Sequence, residues 1–135
     1  MNYPDVLDFW FNPETQPLWF AKSDDFDQQL HRRFSEVLVQ ATQAELYTWR
    51  DTAEGRLAEI IVLDQFSRNL YRDSPASFAQ DPMALALAQE TIQRGLDQNL
   101  RPEQRSFLYM PFMHSESKII HKQALKLFEG LGNPI

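Results

Sequence analysis

Residues 23–42 read SDDFDQQLHRRFSEVLVQAT. Within this stretch Phe26, Leu30, Phe34, Val37 and Ala41 recur at steps of three or four residues, the spacing that lines side chains along one face of an α-helix. Ser23 carries a hydroxyl suited to capping the helix N-terminus. Asp24, Asp25 and Asp27 fall in the first turn, where the helix dipole favours negative charge. This is the clearest periodic signal in the chain, and it decides the fold class: all-α, with apolar stripes buried against one another.

The same reading extends in both directions. Pro4 suits the first turn of a short helix running to about Phe11, and NPETQP (residues 12–17) makes a turn after it. Gln43 to Trp49 reads as a shorter helix. Thr52 caps the next one, from about Ala53 to Tyr71, and DSPAS (residues 73–77) breaks the chain. Asp81 and Pro82 restart it as N-cap and first-turn proline, and Gly95 is a natural left-handed stop. Pro102 opens a further segment that Pro111 ends or kinks. Ser115 then caps a last helix whose Ile120, Ala124, Leu127, Phe128 and Leu131 share a face. No stretch alternates with period two, and no Asn-Gly hairpin turn occurs. The expectation is one domain over residues 1–135, built from about six or seven antiparallel helices with short links. No internal repeat of about 34 residues is visible.

Composition narrows the possible functions. Hydrophobic residues make up 43% and charged residues 24%, ordinary for a folded chain, and aromatics are high at 13%. Rings should therefore build the core. Phe9, Trp10, Trp19, Phe20, Trp49 and Phe66 are expected as core or pocket wall, not as a cofactor box. The net charge of −6 disfavours nucleic acid, which needs a field of Lys and Arg, but permits a small basic pocket. With no cysteine there is no disulfide, thiolate nucleophile or cysteine metal site, and a reducing cytoplasm fits. The longest aliphatic run, Ile60 to Leu63, is too short to span a membrane. The N-terminus has acids and a proline where a signal peptide has basic residues. No HExxH, P-loop, GxGxxG or nucleophile elbow occurs. The expectation is a cytoplasmic protein with no membrane or nucleic-acid partner, no metal and no organic cofactor.

One helix changes character midway. IIVLDQFSRNLYR (residues 60–72) begins aliphatic and ends in acid, amides and arginines. At about 100° per residue, Leu63, Phe66 and Leu70 share one side while Asp64, Gln65, Arg68 and Arg72 share another. One reading is a helix emerging from the core into water, with Asp64 and Arg68 an exposed i,i+4 pair contributing a few tenths of a kcal/mol. The other is a covered polar pocket in which Arg68 and Arg72 present forked donors to a carboxylate or phosphate. A second polar cluster, His114, Ser115 and Glu116, precedes the last helix. Ser115 is there as cap, Glu116 in the first turn, and His114 as an acid–base or an oriented hydrogen-bonding group.

VLDFWF, LWFAKSDDFD, LDQFSRNLYR, SFAQD and FLYMPFMHSE, taken in order, resemble the bacterial domain of unknown function 924 family. The resemblance covers nearly the whole chain and implies a tetratricopeptide-repeat-like (TPR-like) helical array with no established activity. The family's recurrent polar positions map onto Asp64, Gln65, Arg68, Asn69, Arg72, Asp81, Arg105, His114, Ser115 and Glu116. The resemblance thereby favours the covered pocket. Ser67 stands where the family usually has proline, so a milder kink is expected, and Asp73 and Asn12 stand where glycine is common, implying altered turns. Similar proteins usually continue beyond LGNPI with another helical region. A shortened member or a fragment is therefore expected, and if that further region completes the pocket, these residues supply half of the site.

Three functions follow as expectations. The first is binding of a peptide or protein partner, or a small anionic ligand, by Arg68, Arg72, Gln65, Asn69, Arg105 and Ser115. The second is metal-independent hydrolysis of a phosphate- or carboxylate-bearing substrate, with His114, Glu116 and Asp64 moving a proton and water as nucleophile. The third is a structural role in which the polar network only fixes helix packing.

Overall fold

Helices α1 (Tyr3–Trp10), α2 (Asp24–Thr42), α3 (Ala53–Ile61), α4 (Ser67–Leu70), α5 (Asp81–Gln93), α6 (Pro102–Met113) and α7 (Lys118–Gly130) make up the architecture. Short 3-10 turns lie at Gln16–Leu18, Tyr47–Asp51, Pro75–Phe78 and Leu96–Asn99. The structure, a computed structural model, describes residues 1–132; the final three residues of LGNPI lie outside the described residues. No strand occurs among the described residues, so the fold is all-α. A π-helical turn, Val62–Phe66, joins α3 to α4 without a break, and the described residues therefore hold six helical bodies.

The α2 stripe forms as its spacing requires. The Ser23 hydroxyl accepts the Phe26 N–H, and Phe26, Leu30, Phe34, Val37 and Ala41 are all buried. Full burial of each large member stabilises the fold by about 1.5–3 kcal/mol. The partners are rings. Phe34 lies 4.9 Å from Phe9 and 5.1 Å from Phe66 between centroids, and Trp10 lies 5.7 Å from Phe66 and 5.5 Å from Phe107. Side chains from α1, α2, the π turn and α6 thus meet in one aromatic cluster. Because the α3–α4 rod runs through it, residues 60–63 are buried and the polar half that follows starts from a fixed position.

Several local expectations need correction. Gln43–Trp49 is not an α-helix. Ala44 takes a left-handed conformation (φ 59°), Glu45 N–H donates to the Gln40 carbonyl at 2.9 Å and Ala44 N–H to the Ala41 carbonyl at 3.1 Å. That is the paired closure that ends a helix, here with alanine in the usual glycine position. The last helix is capped by Ser117, which accepts the Ile120 N–H, and Ser115 instead accepts the Ser117 N–H in the turn before it. Pro111 neither ends nor breaks α6, which runs on to Met113 with the proline ring buried. Asp81 is not the cap of α5: Gln80 occupies that position, and the fork of Arg68 claims the Asp81 carboxylate. Phe20 is not core: it is 73% exposed, stacked on the outside of Phe107 at 6.1 Å, while Trp19 packs closer to the same ring at 4.7 Å. Asp73 adopts the left-handed conformation (φ 65°), which short polar side chains tolerate.

Candidate functional site

The polar half of the central rod divides between two places. At the π turn, Asp64 is only 1% exposed. Such a carboxylate needs partners for both oxygens. Its Oδ1 meets His114 Nδ1 at 2.8 Å and accepts from Arg68 Nη1 at 3.2 Å, while Oδ2 accepts from Gln65 Nε2 at 2.9 Å. Arg68 Nη1 also donates to the Asp64 carbonyl at 2.7 Å. The guanidinium then forks onto Asp81, with both nitrogen–oxygen distances 2.9 Å, and lies 5.5 Å over the Phe78 ring. One carboxylate thus ties the π turn to the C-terminus of α6, and one guanidinium ties it to the start of α5.

A cleft of about 760 Å³ opens beside this network. Arg68, Asp81 and His114 form its polar side, Phe78, Leu85 and Pro111 its apolar side, and Ser115 and Glu116 its edge. An ionised carboxylate can only accept, so the contact assigns a proton to His114 Nδ1 and leaves Nε2 as the second hydrogen-bonding nitrogen of the ring. Nε2 has no hydrogen-bond partner among the described residues, and the ring is partly exposed along the cleft. Chemically this is an oriented imidazole backed by a buried carboxylate. The acid serving His114 is Asp64, fifty residues away in sequence, whereas Glu116 is exposed and lies before the helix, not in its first turn.

The second place is at the end of α4. The rod stops at Leu70, so counting 100° per residue no longer holds at Arg72. Arg72 does not join Arg68; it donates to Asp27 of α2 at 2.8 and 3.2 Å, and Asn69 donates to the same carboxylate at 2.9 Å. Burial alone would raise the Asp27 carboxyl, but hydrogen bonds from Arg72 and Asn69, with the charge of Arg72, more than offset it and hold the pKa below its ordinary value. The same contact raises the Arg72 guanidinium. Arg105 stands apart from both, on α6 near Gln98 and Tyr109.

The structure therefore brings together Asp64, Gln65, Arg68, Asp81 and His114, sets Ser115 and Glu116 at the cleft edge, and separates Asn69, Arg72 and Arg105 from them. Neither Arg68 nor Arg72 offers an empty fork, since each is already paired with an aspartate. Sequence reasoning missed Asp27, which reads as an ordinary first-turn acid, and Phe78, which sits in a turn. No group of three or more His, Asp or Glu side chains suited to a metal ion occurs among the described residues, and none of their helices is long and apolar enough to cross a membrane.

Comparison with known proteins gives the lineage. No curated protein matches the chain. A solved structure of a protein of unknown function from Agrobacterium tumefaciens, ATU0120, is similar to it with a TM-score of 0.89 and 38% sequence identity, covering 97% of this chain and 74% of that one. The family model described as a bacterial protein of unknown function (DUF924) matches residues 6–134. With the match spanning almost every residue of the helical array, the chain belongs to the DUF924 family.

Proposed function

We propose that the cleft beside Arg68, Asp81 and His114 binds a peptide or a small polar ligand, with His114 as its principal hydrogen-bonding group. The observation that carries this reading is the 2.8 Å contact between His114 Nδ1 and buried Asp64, which fixes the ring and leaves Nε2 for a ligand. The apolar wall of Phe78, Leu85 and Pro111 supplies area for a side chain or ring. An anionic ligand has to compete with Asp81 for the Arg68 fork, so the geometry favours the peptide branch of the expectation. The absence of cysteine suits a reducing compartment, and we place this binding in the cytoplasm.

The Asp64–His114 pair also supports a second reading, in which the imidazole is a general base that activates water against a bound ester or phosphate. The two separate by mutation. In thermal-shift measurements with a panel of short peptides and small polar metabolites, His114→Ala should remove ligand-dependent stabilisation. It should lower the ligand-free melting temperature by less than about 5 °C. Ligand shifts that survive in this variant would defeat the cleft as the site. His114→Gln should retain part of the binding and, if the cleft is hydrolytic, lose turnover completely.

A further inference from the structure

Arg105 is unlike the other partly buried arginines. Arg50, Arg56, Arg68 and Arg72 each hold a carboxylate: Glu59, Glu90, Asp81 and Asp27 respectively. Arg105 has no carboxylate partner among the described residues. Nη1 reaches Gln98 Oε1 across a long 3.4 Å, the side chain also lies within hydrogen-bonding reach of the Tyr109 hydroxyl, and its Nε is buried without a partner. The nearby acid, Asp97, 4% exposed, is engaged through one oxygen: its Oδ2 accepts the Tyr109 hydroxyl at 2.6 Å and Gln98 Nε2 at 3.2 Å, and it forms no ion pair with Arg105. Burial and that bond to Asp97 hold the Tyr109 hydroxyl far above its ordinary pKa, so it adds no negative charge.

A cleft of about 470 Å³ lies here between α6 and α7, with Arg105 and Lys126 against the single carboxylate of Asp97, and with Ile92 and Leu127 as apolar wall. A partly desolvated guanidinium without an anion is an unfavourable arrangement, and an incoming oxyanion relieves it through charge-assisted hydrogen bonds. The volume suits a small molecule. We propose that Arg105 and Lys126 form an anion subsite that receives the carboxylate or phosphate of a small, partly apolar molecule. This subsite is separate from the Asp64–His114 cleft and does not depend on the function assigned to it. It also gives the anion expected from the sequence a different location: the arginines of the central rod are already neutralised, and this one is not.

The test is a titration of the full chain, followed by the Arg105 Nε–Hε resonance in nitrogen-15 correlated spectra. Phenyl phosphate and benzoate serve as separate probes, at ionic strength held constant with chloride. Saturable movement of that resonance with at least one probe is expected, and the probe that binds identifies the oxyanion. Arg105→Met should weaken the binding, followed then by backbone amides of α6 and α7, by at least about tenfold. Lys126→Met, a change at an exposed position that leaves the core intact, should weaken it by about threefold. His114→Ala should leave it unchanged. No saturable movement with either probe, or binding retained in both the Arg105 and Lys126 variants, would overturn the subsite.

Discussion

At the scale of single residues, one charge in the core is buried because it is fully matched. Glu59 has no solvent exposure, yet it sits in the middle of α3. It is tolerated because Arg50 forks onto it, Nε to Oε1 at 2.8 Å and Nη2 to Oε2 at 2.7 Å. Arg50 is itself positioned, since its carbonyl accepts Arg56 Nε at 2.8 Å and Arg56 is paired with Glu90. Gly55 closes the same corner: a Cβ there would be driven into the Trp49 carbonyl, so no other residue lets α3 start this close to the preceding turn. Arg50→Ala leaves the Glu59 charge buried and unpaired. The expected loss is about 3–5 kcal/mol in urea denaturation, much of it recovered when Glu59→Met is added to Arg50→Met. A loss below about 1 kcal/mol for Arg50→Ala would mean that water reaches Glu59 and the pair is not the constraint described.

At the scale of elements, Asp27 is the clamp between α2 and the end of α4, and its shifted carboxyl makes the clamp sensitive to acid. Its folded pKa lies below the ordinary value of 3.8, so as pH falls the unfolded chain takes up the proton first. The stabilisation is therefore complete above about pH 5 and is lost as pH falls through the folded pKa. Melting temperature recorded against pH should drop for the native chain below about pH 4 and drop less steeply for Asp27→Asn, whose plateau at neutral pH is lower. Parallel curves would detach the clamp from the acid response. The same contact shows what a sequence makes legible. The α2 stripe, the Ser23 and Thr52 caps and the Gly95 stop are written within a few residues, and all could be read. Ala44 could not, because alanine does not advertise a left-handed turn. Nor could the π turn, whose extra residue shifts the helical phase without any breaker at 62–66. The site was legible as a set of residue types but not as partners. Asp27 and Arg72 are 45 residues apart, and Asp64 and His114 are 50 apart, distances over which periodicity carries no information.

At the scale of the whole molecule, burial is unevenly shared, and this bears on both clefts. α1, α2, α6 and the central rod contribute to the aromatic cluster, whereas α7 buries only Ala124 and Phe128 and leaves Ile119 73% and Leu125 41% exposed. Phe128 is its main anchor, with its ring edge-on to Tyr109 at 6.2 Å between centroids. A terminal helix with only two buried side chains, the others such as Ile120 and Leu127 being half-buried against the core, opens at lower free energy than the core around it. Phe128→Ala removes a buried ring, for which about 3–5 kcal/mol is the usual cost in a full core. Here the loss should fall mainly on local opening of α7. Hydrogen exchange read by mass spectrometry should show peptides covering 118–130 losing most of their protection while those from α2 and α3 keep theirs. His114 should stay protected from large displacement, because its hold is Asp64 in the rod and not the helix that follows. The Lys126 side of the second cleft should loosen along with α7. Equal loss of protection in all helices would instead mean that α7 unfolds only with the core, and that the two clefts stand or fall together.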